Sequence, residues 1–292
     1  MTESPLVELA VDPAFDSRLA SAMEDVERYL RGTVVSDYPF VTETSRHLVD
    51  AGGKRFRPLL TLLASHFGPR PANDDVIKAA VVVELTHLAT LYHDDVMDEA
   101  QLRRGAPSAN ARWDNSIAIL TGDFLFARAS DILADLGPEA VRIQAQTFER
   151  LCTGQIREAV GPDDGIDPVK HHLQVLSDKT GSLIATAGRF GAMMGGAEAS
   201  TIDTLSRFGE AIGVAFQLAD DIVDITSDAE QSGKLPGTDL REGVPTLATL
   251  IAQSSDHSGD DALIALLSGP IPDDADHALG EIARDERPSE HR

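Results

Sequence analysis

Residues 91–105 read LYHDDVMDEAQLRRG, which sets Asp94, Asp95 and Asp98 close together and follows them with Arg103 and Arg104. On a helix, a step of roughly 100° per residue places the three carboxylates at about 0°, 100° and 40°, on one side of the cylinder. The same D-D-x-x-D spacing returns in QLADDIVDI as Asp220, Asp221 and Asp224. Both copies have apolar neighbours, and carboxylates are costly to bury unless they are paired or bind cations. Hard oxygens in this pattern suit Mg²⁺, which takes one or two carboxylates together with water and substrate phosphate. Two solvated acidic faces would account for either copy alone. A Ca²⁺ loop with its central glycine is missing.

The basic residues sharpen the pattern. GGKRFRP (52–58) sets Lys54, Arg55 and Arg57 behind two glycines, at the mouth of a helix expected to start near Pro58. Glycine backbone and a helix N-terminus favour anions, and Lys and Arg add charge-assisted donors. Arg103 and Arg104 follow the first aspartate cluster, while Lys179 in DKTG and Lys234 in SGKLPGTD are expected at loop or helix-end positions. Scarce cations beside paired aspartate clusters imply two kinds of anion site, one bridged by metal and one held directly by Lys and Arg. Two diphosphate-bearing substrates would satisfy both.

The elements that position these groups read as helices. Leu19, Met23, Val26 and Leu30 form one stripe over 15–32, the spacing of an amphipathic helix. Further helices are expected at 57–68, 74–100, 114–136, 138–160, 168–178, 181–194, 200–228 and 244–252, with a short one at 261–268. The segment 74–100 carries the first aspartates and is apolar nearly all round. Its Val81–Val83 run could pass for a strand, but its length favours a buried helix. Pro, Gly and Asp clusters punctuate the chain, and no alternating strand pattern of convincing length appears. The expected architecture is all-α, one domain over 1–292, with a polar stretch from about 253 onward.

The chain of 292 residues carries 48 acidic against 25 basic side chains, a net charge of −23. That balance argues against nucleic acid as a partner, since phosphate backbones need a basic face. The one cysteine, Cys152, excludes an intramolecular disulfide, fits a reducing compartment, and reads as a small apolar filler. The first residues, MTESPLVELAVDP, do not form a secretory signal. No uninterrupted apolar run approaches the length of a membrane span. A cytoplasmic protein without a transmembrane segment is expected.

Taken in order, GGKRFRP, ELTHLATLYHDDVMDEAQLRRG, GDFLFARA, DKTGSL, FQLADDIVDI and GKLPGTDLREGVPTL resemble the trans-isoprenyl diphosphate synthases, the polyprenyl synthetase family, across roughly 45–250. The resemblance implies an all-helical isoprenoid-synthase bundle around a deep central cavity, a homodimer, and Mg²⁺, with three ions when substrate is bound. It implies head-to-tail joining of isopentenyl diphosphate to an allylic diphosphate. By the same resemblance Asp94, Asp98 and Asp220 ligate metal, and Asp95, Asp221 and Asp224 complete the clusters by ligating or orienting metal-bound water. Arg103, Lys179 and Lys234 hold the allylic diphosphate, and Thr180 and Gln217 line its reactive end. Lys54, Arg57, His87 and Arg104 hold isopentenyl diphosphate.

Product length is expected to be set by Thr86, Ala89 and Thr90, on the turns preceding Asp94. None is aromatic, and Ala89 resembles the open pattern of long-chain synthases, so a product of geranylgeranyl length or longer is expected, with six or more isoprene units favoured. Met193 and Met194 are candidates for the cavity floor. Two departures stand out: Val244 where relatives carry lysine, and a C-terminal region shorter than the family's. A class I terpene cyclase and a non-catalytic partner subunit are the rivals. A cyclase needs no second anion site, and partner subunits tend to lose aspartates that are complete here.

Overall fold

The computed structural model describes residues 12–226, 240, 243–254, 264 and 267. Its elements are helices α1 (Pro13–Thr33), α2 (Pro39–Asp50), α3 (Phe56–Ser65) and α4 (Asp74–Met97), strands β1 (Leu102–Arg103) and β2 (Ala106–Pro107), then α5 (Ala109–Arg112), α6 (Asn115–Leu136), α7 (Pro138–Val160), α8 (Pro168–Leu176), a π-helical turn (Ser177–Gly181), α9 (Ser182–Gly195), α10 (Ala199–Thr226) and α11 (Leu247–Gln253). The all-α expectation holds. The described residues fall into two compact units, Met1–Arg150 with Ser182–Glu210 and Leu151–Gly181 with Ala211–Arg292.

The first unit is built on α4. Asn73 caps it by accepting from the amides of Asp75 and Val76, and Asp74 and Asp75 sit in its first turn, where negative charge meets the positive end of the helix dipole. Beyond that turn most of the helix is apolar, with Glu84 and Thr86 as buried polar exceptions. Ala79–Val83, Leu85, Leu88, Ala89 and Tyr92 are all buried, each large side chain contributing about 1.5–3 kcal/mol on leaving water. By length and composition this helix could cross a membrane, yet 67% of its most apolar window is buried inside the protein. Tyr92 ties it to α2, donating to Thr44 O at 2.6 Å and accepting from the Leu48 amide at 3.2 Å.

Glycines let neighbouring helices approach closely. A Cβ at Gly122 on α6 would collide with the His93 ring and stand 3.1 Å from Ala89 O. On α9, a Cβ at Gly191 would overlap Thr61 O, and one at Gly195 would stand 2.5 Å from Ser65 O, both on α3. Backbone contact of this kind leaves no room for a methyl group.

In the second unit α11 packs on α8. Its start is fixed by a capping box in which Thr246 and Thr249 satisfy each other's backbone and hydroxyl groups. Cys152 is exposed, which corrects the apolar-filler expectation: it lies on the outward side of α7. The helix expected at 261–268 falls largely outside the described residues.

Candidate active site

Asp94, Asp95 and Asp98 occupy the last turn of α4, in the first unit. Asp98 is the residue that ends the helix, and its amide still bonds Asp94 O at 2.8 Å. The helical path therefore carries through the cluster. They are not equivalent. Asp95 is fully buried; its Oδ1 accepts from Arg103 Nε at 2.6 Å, and its Oδ2 is buried without a hydrogen-bond partner. Burial pushes the Asp95 carboxyl up and the Arg103 hydrogen bond pulls it back. Asp94 is half-buried and Asp98 exposed, whereas Asp95 is turned in. Arg103 is held by the cluster it follows.

Arg103 and Arg104 lie on a small antiparallel hairpin that pairs Leu102 with Pro107 and Arg103 with Ala106. Its two turn residues, Arg104 and Gly105, both have positive φ, 54° and 77°, the pattern of a two-residue hairpin turn that follows strand twist. For Arg104 this costs on the order of 1–2 kcal/mol. Its Nη1 donates to Leu48 O at 3.0 Å and to Gly52 O. The guanidinium fills the place where a Gly53 side chain would stand, 2.9 Å from an added Cβ. Helix α2 pins the hairpin from the other side. Arg112 Nη1 lies 3.2 Å from His47 Nδ1; arginine only donates, so Nδ1 accepts and Nε2–H donates to Pro107 O at 2.7 Å.

The GGKRFRP segment separates into outward and inward groups. Gly52 and Gly53 have φ of 84° and 143°, and Arg55 takes φ 48°, immediately before α3 starts at Phe56. Arg55 turns inward: it pairs with Glu27 and, at 2.9 Å, with Glu84, and donates to Val49 O at 2.9 Å. It is a buried structural cation, which corrects its grouping with the anion-binding residues. Arg57 is half-buried with its Nε unpartnered, and Lys54 is exposed.

Burial, then Arg104, lowers the Arg57 pKa against the pull of Glu84, and burial, then Arg55 and Arg103, does the same to Arg104. Burial, then Arg57 and Arg104, drives the His87 pKa well below its ordinary value. Arg57 and Arg104 are thus like charges that repel one another in a partly dry setting, beside a His87 held neutral, an arrangement that a bound anion would stabilise.

Of the positions expected to set product length, Thr86 and Ala89 are buried and Thr90 is half-buried. The Thr86 hydroxyl donates to Val82 O and accepts from Gln144 Nε2, both at 2.8 Å. The Thr90 hydroxyl donates to His87 O at 2.8 Å. Met194 is buried and Met193 half-buried.

The second unit holds the other cluster, on the last turns of α10. Asp220 is exposed, Asp224 half-buried and Asp221 buried. Asp221 Oδ1 accepts from Gln217 Nε2 at 3.3 Å, and Thr180 donates to Gln217 Oε1 at 3.4 Å. His172 Nε2 stands 3.9 Å from Asp221 Oδ2, buried and without a hydrogen bond. Burial raises the Asp221 carboxyl and lowers His172, so both shifts run against a charged pair at that distance.

His172 was missed in the sequence; its only signal is the second histidine of KHHL on the helix before DKTG. Lys179 and Thr180 sit in the π-helical turn, not at a loop or helix end, and Lys179 Nζ is 2.5 Å from Glu158 Oε2. Phe216 is exposed, and Val244 lines a small hollow with Leu240, Pro245 and Leu250. Lys234 lies outside the described residues.

Among the described residues, no three His, Cys, Asp or Glu side chains converge tightly enough to hold a metal ion unaided. The donor set nevertheless fits a divalent cation of the Mg²⁺ type, which completes its shell with water and phosphate oxygens. The orphaned oxygen of Asp95 is a buried acceptor of the kind such a hydrated cation satisfies.

An all-helical chain with two aspartate-rich helix ends and a separate cluster of cations is the layout of a protein that handles diphosphates. The polyprenyl synthetase family model matches residues 38–279. The chain is 51% identical over 267 residues to nonaprenyl diphosphate synthase of Mycobacterium tuberculosis, covering 91% of this chain and 79% of that one. It is 41% identical over 270 residues to dimethylallyltranstransferase of the same organism, covering 92% and 82%. Among solved structures, geranylgeranyl pyrophosphate synthase from Corynebacterium glutamicum, complexed with calcium and isoprenyl diphosphate, superposes with a TM-score of 0.84 at 50% identity, covering 94% of this chain and 84% of that one. The chain belongs to the polyprenyl synthetase family, and it is a prenyltransferase.

Proposed function

We propose that the protein condenses isopentenyl diphosphate with an allylic diphosphate, head to tail, to give a trans-prenyl diphosphate of geranylgeranyl length or longer. Six or more isoprene units is the length favoured by Ala89. The observation that carries the reading is the crowding of Arg57, Arg104 and His87 in the same unit as a complete D-D-x-x-D cluster. A metal–diphosphate site alone would not need those residues, and a second diphosphate would relieve the repulsion between Arg57 and Arg104 while accepting from His87. A terpene cyclase acting on one substrate leaves them without a purpose.

In this reading Asp94, Asp98 and Asp220 hold Mg²⁺, three ions in the loaded enzyme, with Asp95, Asp221 and Asp224 ligating or orienting bound water. The metal supplies charge neutralisation to the departing diphosphate. Arg103, Lys179 and Lys234 bind that diphosphate, and Thr180 and Gln217 line its reactive end. Lys54, Arg57, His87 and Arg104 bind isopentenyl diphosphate and hold its double bond toward the allylic C1. There the C–O bond ionises first to an allylic cation and diphosphate, and the isopentenyl double bond then forms the C–C bond to C1. The proton lost afterwards passes to the released pyrophosphate. The apolar body of α4 keeps water from the allylic cation. The growing chain extends along α4 toward its N-terminus, past Thr90, Ala89 and Thr86.

The working form in this proposal is a homodimer, as the family resemblance implies, in the cytoplasm, whose reducing conditions fit the single cysteine. Elongation of labelled isopentenyl diphosphate on allylic primers, with Mg²⁺ present and then chelated, tests the proposal: activity should appear only with the metal.

A further inference from the structure

The π-helical turn that carries Lys179 and Thr180 is held by its own first acidic residue. Asp178 is buried, and its Oδ2 accepts from Arg157 Nη1 and from Gln174 Nε2, each at 2.9 Å. Arg157 lies on α7 and Gln174 on α8, so one carboxylate oxygen ties the turn to two helices. Gly154, one turn before Arg157 on α7, lets the same segment come close: a Cβ there would stand 2.7 Å from the Lys179 amide nitrogen and 3.0 Å from Asp178 Cβ. Downstream, Thr180 bonds Gln217, and Gln217 bonds Asp221 of the second aspartate cluster. All these residues belong to the second unit.

We infer that Asp178, seated by Gly154, Arg157 and Gln174, is a positioning residue that fixes Lys179 and Thr180 relative to the Gln217–Asp221 pair, and so sets the geometry of the allylic diphosphate subsite. A π-helical turn is a poor structure when left to itself, because its widened hydrogen-bond ring persists only where surroundings enforce it, and such turns concentrate at functional sites. The clamp supplies that enforcement. Charge-assisted bonds to a buried carboxylate are strong, and losing the acceptor leaves Arg157 and Gln174 without it. The inference rests on the proposed assignment of Lys179 and Thr180 to the allylic substrate.

The test is steady-state kinetics on the full chain with Mg²⁺, varying each substrate in turn. Asp178→Ala should raise KM for the allylic diphosphate and lower the corresponding kcat/KM roughly 10- to 100-fold. KM for isopentenyl diphosphate should be unchanged. Gly154→Ala, which displaces the turn without removing a charge, should show the same one-sided loss. If Asp178→Ala does not fold, Gly154→Ala and Arg157→Gln decide by the same criterion.

Equal changes in both KM values, or no change in either for a folded variant, would overturn the inference and leave Asp178 a merely structural residue. A wild-type protein that elongates no primer would count against the proposed function instead. The clamp would then stand or fall on calorimetry with pyrophosphate and Mg²⁺, where Asp178→Ala must bind more weakly than wild type.

Discussion

His87 lies among Arg57, Arg104, Arg55 and Arg103, and burial is the larger reason its proton is disfavoured. The unfolded chain takes that proton near the ordinary histidine value of about 6.5, and the native state only well below it. Above that value both states carry neutral His87 and the group adds no pH dependence. As pH falls beneath it, the unfolded state binds a proton that the folded state refuses, and stability is lost. His87→Gln removes this contribution. Its thermal midpoint should fall less than that of wild type between about pH 7 and pH 5, as scanning calorimetry would record; parallel curves would refute the assignment.

At the same scale, Arg55 shows where sequence reading stops. GGKRFRP announces three cations in a row of chemistry, but only the fold reveals that a left-handed backbone at Arg55 swings it onto Glu27 and Glu84 while Arg57 keeps an unpartnered Nε. Arg55→Ala strands a buried Glu84 and should cost roughly 3–5 kcal/mol, measurable by urea unfolding. A loss typical of surface arginines would contradict that role.

Among the elements, α4 was the most legible, because its apolar run is long, its N-cap is Asn73, and its aspartates recur at helical spacing. The expected end at residue 100 overshot Met97, since Asp98 closes the helix while keeping near-helical geometry. Helix α2 was missed, although Pro39 at its first position and the Val41, Leu48 and Val49 spacing were signals; its polar TETS centre masks them. The hairpin at 102–107 was missed because two-residue turns of this kind are usually announced by Asn-Gly or Asp-Gly, and here Arg104 takes the first place. The π turn has no sequence signature at all: DKTG reads as a loop, and Asp178, Arg157 and Gln174 must first be brought together.

The product-length prediction also belongs to α4. Ala89→Phe places a ring on the proposed path of the growing chain and should shift products toward shorter chains, seen by chromatography of the dephosphorylated prenols. Circular dichroism should confirm the fold, since overpacking alone costs about 1–3 kcal/mol. An unchanged product distribution in a folded variant would remove Ala89 from the account.

For the molecule as a whole, a chain with a net charge of −23 that handles substrates bearing diphosphates has to place its cations where the anions bind. Lys54, Arg57, Arg103, Arg104 and Lys179, the cations that the family resemblance proposes for this, come from segments that also carry helix ends, glycines or a π turn. Which of them are held by carboxylates in the free protein, Arg103 on Asp95 and Lys179 on Glu158, follows only from three-dimensional packing. Family membership, at 51% identity to a nonaprenyl diphosphate synthase and 50% to a geranylgeranyl pyrophosphate synthase, points to two different product lengths, so similarity alone does not choose between them.

The most direct measurement is elongation by the purified protein with labelled isopentenyl diphosphate and allylic primers of several lengths, in Mg²⁺ and after its chelation. The account predicts Mg²⁺-dependent products of geranylgeranyl length or longer. Failure to incorporate isopentenyl diphosphate with any primer, in the presence of Mg²⁺, would contradict it.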